Sequence, residues 1–273
     1  MKKLFCLLVG ILFLTGSIAQ EKNSPYETNF WKDGAWITTG VGLNVLGVLL
    51  IQNKDDLTAT EVANLDRNDI WGIDRGAAGN FSESADEFSY IPFYTSFALP
   101  LSFLLGEDER SNFGQISVLF IETMATTGAL FTITAGAVQK SRPLVYNEDL
   151  AFEVRADANA QRSFFAGHTA ATAAATFFTA KVFQDFNPDS KALPYVWGGA
   201  VAIPGLVGYL RTKAGKHFLT DNIIGLGIGA AAGILIPEIH KKGNENLDIY
   251  PTASFNINGT GINSRSLALR YSF

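Results

Sequence analysis

The 273 residues are 47% hydrophobic and carry a formal net charge of -5. This is ample for a sizeable core and, with no long basic or acidic run, nothing points to nucleic acid. One cysteine, Cys6, rules out an internal disulfide and stands too early for a lipoprotein cleavage site. The chain opens with Lys2 and Lys3, an apolar run from Leu4 to Leu14 and a small-residue site at Ser17-Ile18-Ala19. That order predicts a secretory signal over 1–20, with an uncleaved membrane anchor as the alternative.

Beyond it, Ala35 to Ile51 is apolar and uncharged, near the lower length limit for a membrane span. Residues 54–87 are polar, with Leu57, Val62, Ile70 and Trp71 spaced as on an amphipathic helix lying on the surface. Phe88 to Leu105 is a second apolar run, and Phe113 to Gln139 a third, interrupted only by Glu122. An acid there either faces the bundle interior with a partner or sits on a water-exposed face. Pro143 closes that helix. Ala170 to Ala180 is small and apolar, suited to close helix packing. Leu193 to Leu210 and Asn222 to Pro237 complete six runs. His240, beside Lys241 and Lys242, reads as solvated. Asp248 to Ile257 and Asn263 to Phe273 alternate in polarity around Asn258-Gly259, a hairpin signal.

The expected fold is all-α: a six-helix, membrane-embedded bundle with a short C-terminal β-hairpin. Its divisions are a signal over 1–20, a helix and amphipathic connection over 21–87, a helical core over 88–242 and a tail over 243–273.

Three polar clusters stand at the ends of apolar runs: Lys140-Ser141-Arg142-Pro143, Gly167-His168, and Arg211 through Asp221. Arg211 is a permanent planar cation suited to phosphate oxygens. His217 can serve as base or nucleophile near neutral pH. Asp221, one helical turn on, can reach back to orient the imidazole. Singly each has an ordinary explanation: His168 and Asp221 as helix caps, Arg142 as neutraliser of a helix C-terminus.

Together these clusters resemble the three motifs of the type-2 phosphatidic acid phosphatase and vanadium haloperoxidase superfamily, over roughly Phe88 to Ile239. Arg142-Pro143 matches the end of the first motif and Gly167-His168 the end of the second. Arg211, His217 and Asp221 match the third, an arginine, five residues, a histidine, three residues and an aspartate. Four positions depart from the pattern. Ala135 stands where the first motif has lysine, Phe165-Ala166 replaces Pro-Ser, and Leu210 replaces serine.

The resemblance implies that His217 attacks phosphorus to form a phosphohistidine, with Asp221 holding the ring. It implies that His168 protonates the leaving oxygen and then activates water. Arg142 and Arg211 would bind the equatorial oxygens, and Gly167 would allow close backbone approach. Lys140 is a further candidate phosphate ligand, and Lys213 or Lys216 could also supply the missing cation. No cofactor and no metal are expected, and no metal-ligand spacing is visible.

The expected activity is metal-independent hydrolysis of a lipid phosphate or diphosphate, with the membrane and its lipid as partners and no nucleic acid. The site is expected to face the periplasm of a bacterial envelope after export. Against this, a mean hydropathy of +0.15 is low for six spans. Counting spans from an exported N-terminus also puts Arg142 on the cytoplasmic side. A soluble periplasmic acid phosphatase and a non-catalytic envelope protein retaining the fold are the competing readings. A haloperoxidase fits less well, because the lysine is missing.

Overall fold

The computed structural model describes residues 24–243, together with the backbone of 247–255 and 262–271. The expected signal, Cys6 and the Asn258-Gly259 turn lie outside the described residues.

Helix α1 (Phe30–Gln52) begins where the Asn29 side chain accepts from the backbone N–H groups of Trp31 and Lys32. Most of its apolar surface, including Val41, Val45, Leu46 and Leu49, is exposed. Helix α2 (Glu83–Ser96) starts at a Ser82 cap. Helix α3 (Phe113–Ala137) lies against α1 in parallel: Gly40 meets Ala125, Gly47 meets Thr132 and Gly136 meets Leu50. Both numberings rise together, so the two helices climb side by side.

Helices α4 (Gly167–Phe186), α5 (Leu193–Lys213) and α6 (Leu219–Ile239) follow. Helices α1, α3, α5 and α6 contain 23, 25, 21 and 21 residues and are apolar enough to cross a membrane. At 1.5 Å per residue the shortest is about 31 Å long, matching a hydrocarbon core of about 30 Å. Their exposed leucines, isoleucines and valines form an apolar outer surface suited to lipid, as in a membrane protein.

Helix α4 has a different job. It packs against α2, α3, α5 and α6, and Ala170, Ala173, Ala174, Ala175, Phe178 and Ala180 are wholly buried. Its small residues permit close approach. A Cβ at Gly225 or Gly233 of α6 would lie 2.6 or 2.7 Å from the Ala166 or Ala174 carbonyl oxygen, and one at Gly229 would collide with that of Ala170. This is the small-residue packing used where helices associate in lipid.

The run Phe88 to Leu105 does not form one long helix, contrary to the sequence reading. The Ser82 cap starts α2 in polar sequence, Pro92 lies inside it, and Leu99-Pro100 opens a 3-10 turn over Leu99–Leu104. Proline costs a ladder hydrogen bond and crowds the preceding turn, so the apolar run is divided. The 54–82 segment contains only short helical turns. It straps the motif-bearing end of the bundle: Gly79 N–H donates to the Pro143 carbonyl at 2.7 Å, and Asn80 Nδ2 donates to that of Thr212 at 3.1 Å.

The opposite end has its own core of Tyr26, Phe103, Ile116, Leu119, Phe178 and Val182. There the Tyr26 hydroxyl donates to Asp185 Oδ2 at 2.8 Å. Strands β1 (Leu247–Phe255) and β2 (Ile262–Tyr271) pair antiparallel, with Leu247 opposite Tyr271 and an irregularity at Ser254/Phe255.

Candidate active site

The three motif clusters converge at one end of α3, α4, α5 and α6, held by backbone hydrogen bonds between them. Lys140 N–H donates to the Gln161 carbonyl at 3.1 Å and Ser163 N–H to the Lys140 carbonyl at 2.9 Å, joining the first cluster to the second. Leu144 N–H donates to the Gly215 carbonyl at 3.1 Å, joining the first to the third. Gly215 has φ +72° and sits where a Cβ would strike the Asn80 carbonyl, so the turn delivering His217 requires glycine.

His217 is 2% exposed. Its Nδ1 lies 2.6 Å from the Ser163 carbonyl oxygen. A carbonyl only accepts, so Nδ1 carries the proton and Nε2 keeps a free lone pair, the form that attacks as a nucleophile. Burial first, and then the positive charges of Arg142 and Arg211, hold the His217 pKa well below its usual value and keep the ring neutral.

Asp221 does not hold the ring directly. Its Oδ2 accepts from the Ser163 hydroxyl at 2.6 Å and from Phe218 N–H at 3.0 Å, and its Oδ1 accepts from Lys140 Nζ at 2.6 Å. It therefore caps the start of α6 and fixes Ser163, whose carbonyl in turn fixes His217. The direct contact expected from the one-turn spacing is replaced by a relay, because α6 turns the carboxylate toward the Ser163 segment. Thr220, in the same turn, is held by Asp74, which accepts its N–H at 3.0 Å and its hydroxyl proton.

Lys140 likewise departs from expectation. Its ammonium is committed to Asp221, with Asp74 3.9 Å away, and lies 5.0 Å from the Phe218 ring centroid. It neutralises the Asp221 carboxylate. Lys213 is exposed, its ammonium over the Tyr209 ring. Lys216 faces inward and pairs with Asp86 at 3.1 Å. It lines, with Arg142, Leu144, Asp157 and Asn159, a cavity of ≈ 310 Å³.

Arg142 and Arg211 are both buried, and the Nε atoms of Arg142, Arg162 and Arg211 have no hydrogen-bond partner among the described residues. Burial, then the charges of Arg211 and Arg162, lower the Arg142 pKa to about 9. Guanidinium groups crowded together out of water are costly unless an anion joins them, and the planar fork suits phosphate. Arg211 already has one anion, Asp86, to which it donates through Nη1, and the same atom donates to Ser89 Oγ at 3.3 Å.

His168 opens α4 with its ring centroid 4.4 Å from that of Phe93 and 5.2 Å from that of Tyr90. Burial, then Arg211, lowers its pKa to about 3. Its neighbour Thr169 donates to Asn222 Oδ1 at 2.6 Å, locking the start of α4 to α6. Gly167 is required for packing: a Cβ there would lie 2.5 Å from the Phe131 ring.

Asp86, Ser89, Tyr90, Phe93, Arg162 and Ser163 belong to this site and were not singled out from sequence. Arg162 and Ser163 directly precede the second motif, a signal within reach. The α2 residues come from an element distant in sequence and carry none.

An imidazole tied down to present Nε2, with a second imidazole and a cluster of guanidinium groups beside it, is an arrangement suited to phosphoryl transfer. The PAP2 superfamily model matches residues 117–245. The chain is also similar in structure to a transmembrane PAP2-type phosphatidylglycerolphosphate phosphatase from Bacillus subtilis. Identity is 22% and the TM-score 0.45, over 72% of this chain and 93% of that one. No curated protein matches the chain.

Proposed function

We propose that the protein hydrolyses a lipid phosphate or diphosphate, without a metal, through a phosphohistidine on His217. The observation that carries this reading is the 2.6 Å contact between His217 Nδ1 and the Ser163 carbonyl, which leaves Nε2 as the nucleophile.

In the first step Nε2 attacks phosphorus and the bond to the leaving oxygen breaks. Arg142 and Arg211 stabilise charge on the equatorial oxygens as they bind the group, and Lys216 supplies the cation that the absent motif lysine would give. Asp86 holds Arg211 and Lys216 until the phosphate displaces it. His168 donates a proton to the leaving oxygen. Its pKa is depressed by neighbouring cations as well as by burial, so an arriving phosphate dianion raises it and charges the ring for this step. In the second step His168, now neutral, takes a proton from water, which attacks phosphorus and releases His217.

Two features support a lipid substrate. The helices carrying Arg211 and Asp221 expose apolar side chains outward, and the candidate site lies at their ends, where a membrane crossed by those helices would have its headgroups. The test is phosphate release by the detergent-purified protein from lipid and soluble phosphates, with EDTA present. EDTA-resistant turnover on lipid phosphates, blocked by vanadate and absent in His217→Ala, is the expected result. Turnover confined to soluble esters would move the assignment to an acid phosphatase. No turnover above the mutant on any substrate would leave a non-catalytic protein with the Asp86-filled cradle as its reason.

A further inference from the structure

The other end of the bundle holds a polar cluster unrelated to the phosphate site. Asp33 in the first turn of α1, Glu122 within α3 and His240 just past α6 place one ligand atom each within 4.8 Å of the others. Asp221 and His240 are nineteen residues apart along α6, about 28 Å at helical rise, so the cluster is remote from His217. His240, read as solvated from its lysine neighbours, is instead half-buried here, and Glu122 faces the interior.

Glu122 is the group that demands an explanation. Its side chain is 0% exposed and, among the described residues, neither carboxylate oxygen accepts a hydrogen bond. A bare carboxylate in the interior of a membrane-spanning helix is expensive without a cation. The nearest candidate, His240 Nε2, lies 3.3 Å from Glu122 Oε2 and 3.5 Å from Asp33 Oδ1. A direct charge-assisted hydrogen bond would bring nitrogen and oxygen to about 2.7–2.9 Å. Both separations are too long for that. They do match the edge of a tetrahedron around zinc: with metal–ligand bonds of about 2.0–2.2 Å, ligand atoms stand about 3.3–3.6 Å apart.

The groups behind the three ligands are set for the same purpose. His240 Nδ1 lies 2.8 Å from the Ile236 carbonyl oxygen, which fixes the proton on Nδ1 and leaves the Nε2 lone pair free. Asp33 Oδ2 accepts from Asn29 N–H at 2.7 Å, which turns Oδ1 toward Glu122 and His240. A cavity of ≈ 650 Å³, bordered by Asp33, His240, Asn29 and Glu27, opens onto the cluster and gives an ion its way in.

We propose that Asp33, Glu122 and His240 bind a divalent transition-metal ion of the zinc type, with the fourth position open to the cavity. Such an ion ties α1, α3 and α6 together at the end of the bundle opposite the phosphate site. Sequence spacing cannot reveal it, because each ligand comes from a different helix.

The test uses the full chain in detergent, stripped of metal and titrated with zinc chloride against a chromogenic chelator. One zinc per chain is expected, with a rise in the unfolding temperature. Glu122→Gln and His240→Asn should each weaken binding at least about 100-fold, while His217→Ala keeps it. Should either variant fail to fold, cobalt added to the unaltered chain supplies an independent reading, the visible absorption of a tetrahedral site. Absence of stoichiometric binding, binding unchanged in the two variants, binding lost in His217→Ala, or a six-coordinate cobalt spectrum would each overturn the proposal.

Discussion

The nucleophilic role proposed for His217 rests on what holds its other nitrogen, and in this chain the holder is a backbone carbonyl. The Asp221 carboxylate acts one step back, through the Ser163 hydroxyl, and Lys140 one step further, through Asp221. Lys216 instead shares Asp86 with Arg211. The two lysines therefore predict different kinetics. Lys216→Ala removes a phosphate-side cation and should raise KM about tenfold or more, a loss of about 1.4 kcal/mol. Lys140→Ala leaves the positioning carboxylate unneutralised and should lower kcat with KM little changed. Steady-state kinetics on one lipid phosphate separates them, and the reverse pattern would reject the assignment.

The depressed imidazoles give a stability signature. His168 binds its proton near pH 3 in the folded chain and near 6.5 when unfolded. Between those values the unfolded state holds more protons, so this contribution is complete above about pH 6.5 and is lost as pH falls toward about 3. The unfolding temperature should fall on acidification across that window, and His168→Asn should flatten the fall. An identical slope in the variant would contradict the depressed value. These effects were partly legible in the sequence. His168, His217, Arg142 and Arg211 stand out as candidates because motif spacings at helix ends mark them. Asp86 and the commitment of Lys140 to Asp221 were not, since both arise from contacts across 81 residues or more.

At the level of elements, the long apolar helices were readable from composition, and the small-residue character of α4 announced its close packing. Its central place among α2, α3, α5 and α6 was not readable, because burial on all sides looks like lipid exposure when only hydrophobicity is counted. The Phe88 to Leu105 run misled for a related reason: the Ser82 cap and two prolines outweigh its apolar content. The α4–α6 contact carries a direct prediction. Gly229→Val places side-chain atoms against the Ala170 carbonyl and should destabilise the fold by about 1–3 kcal/mol or more. Gly227→Ala, at a glycine with open space around it, should change stability by less than about 1 kcal/mol. Thermal unfolding in detergent reads both, and equal effects would contradict the packing described.

For the whole molecule, α1 couples the two expectations about topology. It runs from the zinc-cluster end at Phe30 to the phosphate-site end at Gln52. If α1 crosses the membrane and the phosphate site faces the periplasm, residue 24 lies on the cytoplasmic face. An export signal cleaved just ahead of it would place it on the other side. A periplasmic site therefore goes with an N-terminal segment that stays inside. The chain has one natural cysteine, Cys6, so Lys213→Cys in a Cys6→Ser background reports the side of the site. Labelling by an impermeant maleimide in intact spheroplasts is expected, and labelling only after lysis would put the site in the cytoplasm.

The central claim is a covalent phosphate on His217. Lipid substrate labelled with ³²P in the transferred group, quenched during turnover into alkaline detergent, tests it most directly, because phosphohistidine survives alkali and is lost in acid. Alkali-stable, acid-labile label on the peptide containing His217, and none in His217→Ala, is the expected result. Active enzyme that carries no label under any quench time, or label retained in the variant, would contradict it.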